Sequence, residues 1–107
     1  MLGRMSNHER AAAQIAEALE QLRRTFRAVE ETTDPQQAFE LATKLVDDLG
    51  GLYEQAADLR ARQVGRIWTS ETMTLSVLAE RISVKKARAG QLKQRALELL
   101  TDPTEGK

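Results

Sequence analysis

Basic side chains are concentrated between residues 60 and 95. This segment has nine lysines and arginines against two acidic residues, a balance of +7. Residues 1–59 carry −5 and residues 96–107 carry −2, so the formal net charge of zero hides an uneven distribution. A concentrated positive field attracts polyanions, above all nucleic acid. The alternative is an ordinary solvated face of a helix.

Side chains that could perform catalysis are few. The chain has no cysteine and one histidine, His8, which excludes thiolate zinc sites, cysteine nucleophiles and two-histidine metal motifs. The pairs Glu30-Glu31 and Asp47-Asp48 have no histidine beside them, so we interpret them as solvated helix faces. Gly50-Gly51 lacks the Lys-Ser/Thr of a phosphate-binding loop. We therefore expect no enzyme, no cofactor and no metal.

The composition predicts an all-α fold. Of the 107 residues, 15 are alanine and 14 leucine, aromatics make up 4%, and no Asn-Gly or Asp-Gly hairpin signal occurs. No apolar run approaches the roughly 18 residues that a membrane span needs, and the N-terminus lacks the apolar stretch of a secretory signal. We expect a cytoplasmic protein with no membrane partner.

Two long helices with heptad spacing are predicted in the N-terminal half. The first covers about residues 7–31, with Ser6 or Asn7 as its N-cap. The second covers about residues 35–68, after Asp34 as N-cap. Its apolar spacing keeps phase across Gly50-Gly51, which favours one helix, bent or straight, over two helices with a turn.

Residues 1–59 are expected to form an antiparallel helical hairpin that also mediates dimerisation. The hairpin leaves a second apolar row on the long helix uncovered, and a homodimer with a four-helix arrangement would bury it. Another protein, such as RNA polymerase, is the alternative occupant. The expected interface residues are Ile15, Leu19, Leu22, Phe26, Val29, Phe39, Val46 and Tyr53.

The segment 60–100 has the apolar skeleton of a helix-turn-helix. Thr74 is placed to cap a short helix over 75–82, Ser83-Val84 forms the turn, and a last helix covers about 85–100. The apolar positions are Leu75, Leu78, Ala79, Ile82, Val84, Ala89 and Leu92. Trp68, with Val64 and Ile67, is expected in the junction core. The tail, 101–107, has no apolar pattern and is expected to be disordered.

The run Leu78-Ala79-Glu80-Arg81-Ile82-Ser83-Val84, with Gln91-Leu92 after it, resembles small bacterial helix-turn-helix DNA-binding regulators. The likeness is to sigma-region-4-like and repressor-type domains and covers about residues 60–96. Two positions depart from that pattern. Ser83 stands where glycine is usual because the backbone there adopts a positive φ, and Lys85 replaces the usual Ser or Thr cap.

The resemblance implies that the last helix enters the major groove of double-stranded DNA. Candidate base-contacting residues are Lys85, Lys86, Ala87, Arg88, Gln91 and Gln94. Candidate phosphate-contacting residues are Thr74, Ser76, Arg81, Lys93 and Arg95. Gly90 either permits close backbone approach or packs against the preceding helix.

These observations favour a sequence-specific DNA-binding transcriptional regulator, acting as a dimeric repressor. Two other functions remain open. The first is a helical protein-interaction module whose partner is RNA polymerase or another regulator. The second is a DNA-packaging or partition adaptor on a plasmid or phage.

Overall fold

Four helices make up the part of the chain that the structure describes. A computed structural model describes residues 5–101, without the side chain of Thr101. The helices are α1 (Asn7–Glu30), α2 (Pro35–Ser70), α3 (Leu75–Arg81) and α4 (Lys86–Thr101). Residues 5–101 contain no strand, so the predicted all-α class is confirmed. Thr101, the first residue of the expected tail, ends α4; the rest of that tail, 102–107, lies outside the described residues.

Both long helices begin at side-chain caps. Ser6 and Glu9 form a capping box before α1: the Glu9 N–H donates to Ser6 Oγ at 3.0 Å, and the Ser6 N–H donates to Glu9 Oε1 at 2.9 Å. At α2, the Gln36 N–H donates to Asp34 Oδ1 at 3.0 Å, and Pro35 occupies the first helical position, where no N–H is needed. The predicted helix starts are confirmed.

The long helix α2 passes through Gly50-Gly51 without a break. The preserved heptad phase therefore indicated the structure correctly, and a turn at these glycines is wrong. A Cβ added at either glycine would meet no atom within 4 Å, so no neighbour in this chain requires them to be glycine. The helix ends at Ser70, where the Ser70 hydroxyl donates to the Ile67 carbonyl at 2.7 Å.

The chain divides into two compact units, Met1–Asp47 and Asp48–Lys107. The division falls inside α2 and precedes the domain boundary that the sequence predicted between residues 59 and 60. Among the described residues, α1 has no buried side chain. The buried apolar residues all belong to the second unit and are Ala61, Val64, Leu78, Ala79, Ala89, Leu92, Ala96 and Leu99.

The apolar side chains of the first unit fall into two groups. Among the expected interface residues, Leu22 and Val29 are half-buried, and so are their neighbours in the apolar pattern, Ala38 and Leu45. The remaining expected interface residues are exposed, with Ile15 at 63%, Phe39 at 66%, Val46 at 69% and Tyr53, on α2 in the second unit, at 69%. Leu19 and Phe26 are also exposed.

No helix over residues 5–101 is long and apolar enough to cross a membrane.

Two glycine-to-alanine substitutions in α2 are expected to change stability in opposite directions. Gly51→Ala should raise the free energy of unfolding by about 1 kcal/mol, because alanine favours the helix and the added methyl meets open space. Gly65→Ala should lower it by about 1 kcal/mol, because the added Cβ would stand 3.0 Å from Ala96 Cβ and force two helix backbones apart. Urea unfolding followed by circular dichroism measures both. Equal shifts of the two variants would contradict this reading of the α2–α4 contact.

Candidate nucleic-acid interface

The connection between α3 and α4 is a tight turn closed by backbone hydrogen bonds. The Val77 N–H donates to Thr74 Oγ1 at 3.2 Å, which confirms Thr74 as the N-cap of α3. The Ser83 N–H donates to the Glu80 carbonyl at 3.2 Å, and the Val84 N–H donates to the Ala79 carbonyl at 3.0 Å. Ser83 has φ 61°, in the left-handed region, as expected for a turn position where glycine is usual.

The side chains predicted to form the apolar skeleton lie together in one core. Leu78 is fully enclosed, and Ala79, Ala89, Leu92 and Val64 are buried around it. Further half-buried side chains pack against this cluster: Leu75, Ile82 and Val84 from the predicted skeleton, and Ile67, Trp68 and Met73 beside them. The expected junction core at Trp68 is therefore confirmed. Because α3 has only seven residues, its packing in this core fixes its orientation and positions α4.

The buried positions of α4 define its outward face. Ala89, Leu92, Ala96 and Leu99 recur at steps of three and four residues and turn one side of the helix inward. Gly90 is half-buried, and a Cβ added there would stand 3.5 Å from Leu75 Cδ2, so the helix packs against α3 at this point.

The opposite side of α4 carries most of the candidate base contacts. Ala87, Gln91 and Gln94 are exposed there, and Lys86 and Arg88 flank them. Lys85, just before the helix, is also exposed, and its carbonyl accepts from the Ala89 N–H at 2.9 Å. Arg88 Nη1 donates to Gln91 Oε1 at 3.4 Å, which places one basic and one amide side chain next to each other. Neither Lys85, Lys86 nor Arg88 has an ion-pair partner among the described residues.

Three of the candidate phosphate contacts already interact with other side chains of the same chain: Arg81, Lys93 and Arg95. Arg95 donates to Asp58 Oδ1 from Nη2 at 3.0 Å and from Nε at 3.2 Å, and Glu98 lies 3.7 Å from its Nη1. The hydrogen bond and charge of Asp58 raise the pKa of Arg95 above its ordinary value. Arg81 forms an ion pair with Glu71.

Lys93 has a different partner. Its Nζ lies 4.5 Å from the centroid of the Trp68 ring, a cation–π contact between α4 and the end of α2. Thr74 and Ser76 lie at the start of α3 and are exposed, although the Thr74 hydroxyl already caps the helix. The candidate phosphate contacts therefore differ in availability, and Ser76 is the least engaged of them.

Asp58 is the partner of Arg95 that sequence reasoning missed. It lies 37 positions from Arg95, and an isolated aspartate on a long helix carries no signal that names its partner. Arg60 was counted in the basic segment but given no role. It lines a cleft of about 290 Å³ together with Arg88, Val84 and Leu92, beside the first turn of α4.

Comparisons of this chain with models of known protein families, with curated proteins and with solved structures found no match.

Replacing Ser83 is expected to reveal the strain in the turn. Ser83→Gly should raise the free energy of unfolding by about 0.5–1 kcal/mol, because an L-residue in the left-handed region is disfavoured by about 1–2 kcal/mol, partly offset by the flexibility of glycine. Ser83→Val should lower it, since a β-branched side chain tolerates this φ poorly. Thermal unfolding of the two variants provides the measurement. Destabilisation by glycine would mean that this backbone conformation is not adopted.

Proposed function

We propose that this protein is a sequence-specific DNA-binding transcriptional regulator, a dimeric repressor whose α3 and α4 form a helix-turn-helix. The observation that carries the proposal is the outward face of α4. Its first turns expose basic side chains that have no acidic partner within residues 5–101, and two glutamines lie beside them. The other side of the helix is buried. A rigid helix with this chemistry is suited to the major groove, which is about 12 Å wide.

Direct reading of bases is assigned to the exposed side of the first three turns of α4. Arg88 and Lys86 are suited to the O6 and N7 acceptors of guanine, and Gln91 and Gln94 to the N6 and N7 atoms of adenine. Ala87 is small and apolar, as contact with a thymine methyl requires. Lys85 precedes the helix, where its charge favours phosphate as well as bases.

Phosphate contacts are assigned to α3 and to the flanks of α4. Ser76 and Thr74 lie at the N-terminal end of α3, with exposed side chains. Arg81, Lys93 and Arg95 remain in the proposal as secondary contacts. Each of them first has to exchange an intramolecular partner for a phosphate, which reduces the gain in free energy.

A helical protein-interaction module is the second candidate function. It is favoured by the exposure of Ile15, Phe39 and Val46, since apolar rows of this kind mark interaction surfaces. In this alternative the basic face of α4 is a solvated surface. DNA binding therefore separates the two functions.

Reversing two charges on α4 is expected to abolish specific DNA binding. A site would first be selected from a random DNA pool, and the affinity then measured by fluorescence anisotropy at several salt concentrations. The double variant Lys86→Glu/Arg88→Glu should weaken binding by at least 100-fold, because it removes base contacts and repels phosphates.

The matched control is Arg10→Glu/Arg62→Glu, which changes the net charge by the same amount. It should retain specific binding within a few-fold, because both side chains are exposed and neither is assigned to DNA or to the dimer. Equal loss in both double variants would reduce the binding to a non-specific charge effect. A failure to select any DNA sequence would favour the protein-interaction module.

Removing the acidic partner of Arg95 is expected to strengthen binding to DNA. Asp58→Asn deletes the carboxylate that holds the guanidinium at 3.0 Å and releases a cation beside the proposed interface. We expect a several-fold gain in affinity at low salt, shrinking at higher salt as screening increases. Because the Arg95 guanidinium is open to solvent, unfolding stability should change little. A loss of affinity with unchanged stability would show that the Asp58–Arg95 pair orients α4.

A further inference from the structure

The apolar side chains of the first unit are too exposed to be explained by a single chain. Leu19, Phe26, Phe39 and Val46 are all more than 45% exposed, on two helices that have no buried residue in this unit. Large apolar side chains in a regular row mark an interface. Their spacing along the two helices indicates which kind of partner covers them. The geometry points to a second copy of this chain, packed on this face in an antiparallel four-helix bundle.

The half-buried residues define the register of α1 against α2. Leu22 and Leu45 are half-buried, and so are Val29 and Ala38. Leu22 precedes Val29 by seven residues and Leu45 follows Ala38 by seven, so both pairs fit one antiparallel register. In this register the midpoint between Ile15 and Phe26 lies level with Val46.

The exposed rows of the two helices face the same side of such a hairpin. Phe39 and Val46 each follow a half-buried residue directly, so they are rotated by about +100° from it. Phe26 and Leu19 are rotated from Leu22 by about +40° and +60°. The rotation has the same sense on both helices, and because the helices run in opposite directions, both rows point to one side. The result is a single apolar face.

The outer residues of each row are equally distant from a midpoint. On α2, Phe39 and Tyr53 are seven residues before and after Val46. On α1, Ile15 and Phe26 are equally distant from the point between Glu20 and Gln21. Because the two midpoints are level in the hairpin, one two-fold axis perpendicular to the helices relates both rows to a second copy.

Charge along α1 favours the same antiparallel direction. Glu17 and Glu20 precede the midpoint, and Arg23, Arg24 and Arg27 follow it. An antiparallel partner places its arginines beside these glutamates, whereas a parallel partner places like charges together. A heterologous partner has no need of such internal symmetry. Val46 therefore packs on Val46 of the second copy, and Phe39 packs on its Tyr53.

Single cysteines provide the test, because the natural chain has none. Val46→Cys lies on the proposed axis and should form an intermolecular disulfide on mild oxidation of the full chain. Phe39→Cys should not cross-link to itself, since the two positions would be about 21 Å apart along the bundle, far beyond the roughly 7 Å that a disulfide spans. Mixing Phe39→Cys with Tyr53→Cys should restore cross-linking. Non-reducing electrophoresis reads all of these outcomes.

Sedimentation without DNA gives the second measurement. The unmodified chain should sediment as a dimer at micromolar concentration, and Val46→Glu should sediment as a monomer. Leu100→Glu is the matched control: Leu100 is 68% exposed but lies on α4, so this variant should remain a dimer. Self-cross-linking at all three cysteine positions would establish a parallel dimer, and an unmodified chain with the mass of one copy would overturn the pairing. Both measurements omit DNA, so a monomer would remove the dimer from the proposed function and leave DNA binding by α4 to its own test.

Discussion

The close packing of α3 and α4 against the last turns of α2 is the constraint on which the second unit depends. Its core is made of small residues and short aliphatic chains, with Leu78 fully enclosed and Gly65 and Ala96 at the point of closest approach. Thin side chains allow three helices to meet within a short segment, but they tolerate little change in volume. The turn at Ser83 accepts an unfavourable backbone conformation so that α4 can return onto this core.

The first unit is organised on a different principle. Its helices have the spacing of a packed bundle, yet the described residues of this unit include none that is buried. Helices of this length gain most of their stability from a covered apolar face, since propensity alone is marginal in water. The two units therefore obtain their order from different sources, one from its own core and the other, as we propose, from a second copy.

Local patterns predicted most of the fold. Caps at Ser6, Asp34 and Thr74, and the apolar steps of each helix, depend on residues a few positions apart, so their spacing is visible in one sequence. The end of α2 lies beyond the predicted Trp68, at Ser70, where the Ser70 hydroxyl bonds back to the Ile67 carbonyl of its own helix.

The charge contacts of the candidate site were beyond that reach. Arg95 and Lys93 were assigned to phosphates because they are basic and lie on the predicted DNA-facing unit. Their partners, Asp58 and Trp68, are distant in the sequence and become neighbours only once α4 packs on α2. A count of charges therefore overstated how many cations are available. Lys86 and Arg88, which have no acidic partner among the described residues, agree with the simple charge pattern.

The contact between Lys93 and Trp68 also gives the molecule an optical signal. Trp68 is the sole tryptophan of the chain, and its indole ring lies beneath an ammonium group carried by α4. Ultraviolet emission excited at the indole band therefore comes from the junction that supports α4 and from nowhere else in the protein. Any event that moves the Lys93 ammonium group away from the ring, such as its binding to a polyanion, alters the wavelength or the yield of that emission. No attached dye is needed.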